Sequence, residues 1–268
     1  MEYAFASTRL KLRSASLPLN RLRALSESAT ASEIMDILHR FGLKDTSSSL
    51  QDADMVLRGA FKREAEGVLR MVKTSKFLVL FLRKFEILEI LDFLTNFNES
   101  KMAVKVMRTS ELLSLEHSAD LKSIIAQINR RFGFNLNQNM AIGEIEDQIL
   151  SQYLLKLSLI SPTSIKPIIE KERKLIALPH ITDFEHFLGE HKGSWFYKVL
   201  NVDKNLIDLK MAVYLQHISK IYSVRDPIGP GAIVSYMYYL DLNYKFMKSL
   251  YFSVKTRIRL NLRAIWEI

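Results

Sequence analysis

The chain contains no cysteine, which excludes a disulfide framework, a thiolate zinc site and a cysteine nucleophile. Glycine and proline are scarce too, nine and six among 268 residues, about half of ordinary usage. Turns consume most of both residue types, so few turns and long elements are expected. With leucine and isoleucine abundant, those elements should be helices. Uncharged apolar runs of membrane-spanning length are missing as well. Phe77 to Leu94 has the length but carries Arg83, Lys84, Glu86, Glu89 and Asp92, and a charge costs about 2.5–3.5 kcal/mol at mid-membrane. The opening Met1 to Phe5 lacks the basic segment and apolar run of a secretory signal. The Arg- and Ser-rich stretch 7–28 shares only the loose composition of a transit peptide.

Catalytic signatures are equally sparse. Gly229-Pro230-Gly231 lacks the lysine and the preceding strand of a phosphate-binding loop. It reads as turn geometry, with anion binding at the following helix start as the weaker alternative. The best metal candidate is His180, His186, Glu190 and His191. His186 and Glu190 stand one helical turn apart, but no third ligand follows at a metal-site spacing. No acidic pair stands out in a polar constellation, and nothing here points to an enzyme.

What is present is charge at the two ends. Residues 1–23 hold Arg9, Lys11, Arg13, Arg21 and Arg23 against Glu2 alone. Residues 245–268 hold Lys245, Lys248, Lys255, Arg257, Arg259 and Arg263 against Glu267. The 221 residues between them balance, 27 basic against 27 acidic. Basic ends on a neutral body point to an acidic partner, whether protein, lipid head group or nucleic acid. They are equally compatible with solvated helix faces.

Helical periodicity runs through most of the chain. Residues 3–17 place Tyr3, Ala6, Leu10 and Leu17 at helical spacing, with Arg9 and Arg13 together on another face. Thr30 and Glu33 form a capping box before Ile34, Ile37 and Leu38, and Gly42 closes that helix. Further helices are expected at 51–73, 76–96, 119–131, 142–160 and 204–222. Pro162 and Pro167 should break the chain, Thr182 to Glu185 reads as a second capping box, and Asp226 to Gly231 as a turn. Beyond that turn, Ile233, Met237, Leu240, Tyr244, Met247, Tyr251, Val254 and Ile258 repeat at steps of four and three, a seven-turn stripe. Such a stripe is a core seam, or else a seam offered to a partner helix. Tyr236, Tyr238, Tyr239, Tyr244 and Phe246 beside Lys245 and Lys248 could stack bases, but packing accounts for most of them better.

Three segments share a pattern of an acid followed by apolar residues one turn apart: Glu33-Ile34-Ile37-Leu38, Asp120-Leu121-Ile124-Ile125 and Asp183-Phe184-Phe187-Leu188. The first two end in Arg40-Phe41-Gly42 and Arg131-Phe132-Gly133. A short-helix, long-helix unit used three times is expected, over 1–100, 101–175 (shortened) and 176–268.

The opening Tyr3-Ala4-Phe5-Ala6-Ser7-Thr8-Arg9-Leu10-Lys11-Leu12-Arg13, with Leu17, resembles the first helix of the C-type stalk subunit of the V/A-type ATPases, the counterpart of the d-type subunit in the vacuolar enzyme. Asp54 through Arg70, then Leu82-Arg83, Glu86, Glu89-Ile90 and Leu94, is similar to that family's next two long helices. Asp226-Pro227-Ile228-Gly229-Pro230-Gly231, with Val234 and Tyr236, looks like the turn that opens its last long helix. These stretches cover about half the chain in the family's order. Glu89 stands where the family has Asn, and Tyr238-Tyr239 replace a Lys-Glu pair, while Asp241 keeps the acid that follows. Little similarity falls within residues 140–180.

The resemblance implies an all-α, funnel-like body of three similar helical units with no catalysis, no cofactor and no metal. It implies a central-stalk protein that caps the rotating shaft (made of D- and F-type subunits) and seats it on the proteolipid ring, coupling ATP turnover to proton or sodium transport. It places the chain peripherally at the cytoplasmic face of a membrane. The candidate docking residues are Arg9, Lys11 and Arg13. A helical nucleic-acid-binding protein using the two basic ends is the alternative.

Overall fold

A computed structural model of the chain describes residues 30–43, 48–72, 75–95, 120–177, 192–202, 206–226, 229–257 and 260–267, with isolated positions at 21, 23–25, 186, 189 and 190. Among the described residues every regular element is helical and there is no strand. The all-α expectation holds. In chain order the elements are α1 (Ala31–Arg40), α2 (Leu50–Leu69), α3 (Lys76–Leu82), α4 (Lys84–Thr95), α5 (Leu121–Phe132), α6 (Ile142–Ile160), α7 (Lys166–Ala177), α8 (Trp195–Leu200), α9 (Ile207–Arg225), α10 (Pro230–Thr256) and a closing 3-10 turn (Leu262–Trp266). The chain forms two compact units. One joins Met1–Leu82 to Pro162–Ile268, and the other is the intervening Arg83–Ser161. This partition by packing differs from the three pattern-based stretches.

The discontinuous unit is organised around α10, which packs against α9, α2, α1 and α3. Every residue from Gly231 to Tyr244 is buried, about four full turns. Of the predicted stripe, Ile233, Met237, Leu240, Tyr244, Met247 and Tyr251 all lie in the core, Val254 is half-buried, and Ile258 lies outside the described residues. The seam reading was too narrow, because Tyr238, Leu242 and Phe246 on other faces are buried as completely. A helix enclosed on all sides buries every face. The flanking tyrosines are packing residues: Phe81 meets Tyr238 edge-on at 5.5 Å and Phe61 meets Tyr244 edge-on at 6.2 Å.

Local chemistry sets the helix ends. The Thr30 hydroxyl accepts from the Glu33 N–H at 3.3 Å, and the Glu33 carboxylate accepts from the Thr30 N–H at 2.8 Å, the reciprocal arrangement of a capping box. Gly42 then takes φ +97°, a conformation other side chains avoid. α10 opens at a crowded turn. The Gly231 N–H donates to the Asp226 carboxylate at 3.4 Å, and a Cβ on Gly231 would come 3.2 Å from the Tyr222 carbonyl. Two expectations need correction. The single helix over 76–96 is two, interrupted at Arg83, where the compact units also divide. Pro167 breaks nothing: it lies in the first turn of α7, where its missing N–H has no helical partner to lose.

In the second unit α4 packs on α6, and α5 and α6 match their expected spans within about two residues. Asp120 caps α5 by accepting from the Ser123 N–H at 2.7 Å. At its other end the Lys156 ammonium donates to the Phe132 carbonyl at 2.8 Å and to that of Gly133, a cation where the helix dipole favours one. Asn129 exchanges two hydrogen bonds with Leu136, and Gln152 two with Asn135, fixing the α5–α6 loop.

Met247 is fully buried, so Met247→Asp places an unpaired carboxylate in the core at a cost of several kcal/mol, a large share of a domain's stability. A thermal melt should show the cooperative transition lost or strongly lowered. An unchanged melting temperature would place this position outside the core.

Candidate functional site

The most concentrated polar chemistry among the described residues lies inside the discontinuous unit, between α2 and α10. Asp54 and Arg58 stand one turn apart on α2 and are ion-paired. Both are buried, at 6% and 7% exposure. Opposite them, 190 residues away in the chain, the Tyr244 hydroxyl of α10 donates to Asp54 Oδ1 at 2.7 Å. One turn further along α10, Lys248 Nζ reaches the same oxygen at 2.7 Å. Arg58 Nε and Nη2 each lie 3.4 Å from the Tyr244 oxygen.

Burial pushes the Asp54 carboxyl up, but Arg58 and Lys248 outweigh it and hold the group below its ordinary value of 3.8. Burial raises the Tyr244 hydroxyl far above the ordinary tyrosine range, and the neighbouring Asp54 charge adds to this. Neither group exchanges a proton readily near neutral pH. With Oδ1 and Oδ2 both engaged, the cluster has the properties of a clamp between two helices rather than of a general base. A second buried contact acts alike, with Tyr238 of α10 donating to Glu172 of α7 at 2.6 Å. Nearby in sequence, burial pushes the Tyr239 hydroxyl up to about 12.

The other unit holds a smaller cluster. The Glu86 carboxylate lies between two arginines, paired with Arg83 at 2.7 Å and with Arg131. Arg83 also lies 4.4 Å above the Phe132 ring. Partial burial, with repulsion from Arg83, lowers Arg131 to about 10.

The sequence-derived docking candidates Arg9, Lys11 and Arg13 lie outside the described residues, as does the capping box at 182–185. At the C-terminal end the positive charge is more committed than its count conveys. Lys248 neutralises Asp54, Lys245 stands 3.5 Å from buried Asp241, and Lys255 donates to the Ser48 carbonyl. Arg23, near the other basic end, lies 5.2 Å above the Trp266 ring. Of the metal candidate, His186 and Glu190 form an exposed pair at 3.2 Å, while His180 and His191 are outside the described residues. The sequence reading missed Asp54, Arg58 and Tyr244 as one cluster. Its local half was visible as an acid and an arginine four apart, but its partner on α10 carried only the signature of a core residue.

Comparison with protein-family models, with curated proteins and with solved structures finds no match to this chain. The resemblance to the rotary-ATPase stalk protein rests on the residues quoted for it above.

The depressed Asp54 value has a signed consequence. The stability it contributes is present above its ordinary value and is lost as pH falls through the lower folded value. Urea titrations should show Asp54→Asn destabilised at pH 7, with the gap to wild type narrowing below about pH 4. A gap that stays constant across that range would mean the carboxylate is not the group that matters. In the same assay Tyr244→Phe should cost about 1–3 kcal/mol by removing a buried donor from a charged acceptor.

Proposed function

We propose that this chain is a non-catalytic central-stalk component of a rotary V/A-type ATPase, capping the shaft and seating it on the proteolipid ring. The observation that carries the reading is mechanical. Two of the stretches on which the family resemblance rests, the one beginning at Asp54 and the long helix opened by Asp226 to Gly231, are fastened together by the Asp54–Tyr244 clamp. A part that passes torque between two partners has to resist shear. A core helix buried on every face through its first four turns and cross-braced by charge has that stiffness. No described helix is long and apolar enough to cross a membrane, so in this reading membrane contact runs through the ring. Proton or sodium translocation belongs to the complex and not to this component.

The test is isolation of the native complex from membranes through a tag on this chain, with identification of what accompanies it. Shaft proteins of D and F type and a proteolipid should co-purify in fixed ratio. Co-purification with nucleic acid and neither of these would overturn the proposal.

A second outcome concerns the basic N-terminal stretch. If Arg9 and Arg13 share an exposed helix face toward an acidic partner, each contributes about 0.2–1 kcal/mol. The Arg9→Ala, Arg13→Ala double variant should therefore bind purified shaft proteins or ring-containing membranes a few-fold more weakly at low salt. The difference should vanish at high salt. Equal affinity under all conditions would assign these arginines to a solvated face.

A further inference from the structure

The second half of α9 carries an exposed strip that neither the clamp nor the proposed function uses. From Leu209 to Leu215 this helix is buried. Beyond that, His217, Lys220, Ile221, Val224 and Arg225 are exposed. On a helix of 3.6 residues per turn these five positions fall within an arc of about 140°. His217, Ile221 and Val224 occupy its middle, Lys220 one edge and Arg225 the other. Val224 is 75% exposed and Ile221 44%, two of the few large apolar side chains left in water among the described residues.

The charge on this strip is of one sign. Past Asp208 at its beginning, α9 has no carboxylate. The next acid, Asp226, is turned onto the Gly231 N–H at the start of α10. Neither Lys220 nor Arg225 makes an ion pair among the described residues, and Arg225 lies 5.9 Å over the Tyr222 ring. Cations in a last turn also favour the helix dipole. That explains Arg225, the cation of the last turn, but neither Lys220 nor the apolar pair held between them. An apolar centre with a charged rim is the anatomy of a binding surface: the centre supplies desolvation and the rim selects the partner's sign.

We propose that this strip is a docking surface for an acidic segment of another protein, one that presents apolar side chains flanked by aspartate or glutamate. The proposal goes beyond the stalk reading and does not depend on it. Its occupant is fixed by charge complementarity, whichever complex the chain belongs to. The test installs a photoreactive amino acid in place of Val224 in the full chain, irradiates cells that make it, and sequences the cross-linked species by mass spectrometry. The expected product is a protein segment with clear excess of Asp and Glu over Lys and Arg. Adding Lys220→Glu and Arg225→Glu should cut its yield about tenfold, since two attractions become repulsions. The milder Lys220→Gln, Arg225→Gln pair should give an intermediate loss. A neutral or basic segment, a lipid or nucleic-acid adduct, no cross-link, or a yield indifferent to charge reversal would each overturn the proposal. The two readings separate cleanly, because the partner's identity bears on the stalk assignment and its acidity on this one.

Discussion

A carboxylate removed from water must be met by opposite charge or hydrogen-bond donors, or else it becomes neutral. Asp54 is met by all three donors the site offers. Arg58 comes from its own helix, while Tyr244 and Lys248 come from α10. Removing α10 would leave Asp54 with a single local partner, and removing α2 would leave Tyr244 buried without its acceptor. Apolar burial leaves the alignment of two helices less tightly specified, because it is non-directional. A buried charge with fixed donors does not, so the cluster sets the register of α2 on α10. The aromatic contacts beside it, Phe41 on Phe61 and Phe61 on Tyr244, inherit that register.

The second unit reaches a comparable result by other means. Its polar links join neighbouring elements: Lys156 closes α5, Asn129 and Gln152 hold the following loop, and Glu86 joins Arg83 to Arg131. Apart from Glu86, which is buried, these groups keep part of their surface in water and are more open to screening than the clamp. Its rigidity comes instead from apolar burial on α6, where Ile145, Ile149, Tyr153, Leu154 and Leu157 line the core.

How much of this was legible follows from the range of each interaction. Helices α1 and α5 could be read because their caps are local, Thr30 with Glu33 and Asp120 with Ser123 being three residues apart, and α6 by its periodicity. Helix α9, with no side-chain cap and buried through consecutive residues, was placed three residues early at each end. The split at Arg83 was not legible, since the apolar pattern continues through it and the change of packing partner leaves no local mark. Pro167 misled because proline reads as a stop until its place within a helix is known. The α10 stripe was read as one face because periodicity reports the most apolar side. Burial of Tyr238 and Tyr239 depends on what surrounds the helix, which no pattern within it encodes. The clamp lay furthest out of reach. Asp54 and Arg58 look like any surface pair until Tyr244 is placed against them.

The interruption of one unit by the other has a consequence in time. Chains emerge from the ribosome at about 5–20 residues per second. Asp54 is therefore followed by Tyr244 only after about 10–40 seconds, since 190 residues separate them. Residues 83–161 are complete well before that. During the interval α2 and α3 present Leu57, Phe61, Phe77 and Phe81 with no α10 to cover them. Synthesis thus makes the whole of the inserted unit available before its host is complete. The apolar faces of α2 and α3 are the part of the nascent chain that a chaperone would need to shield.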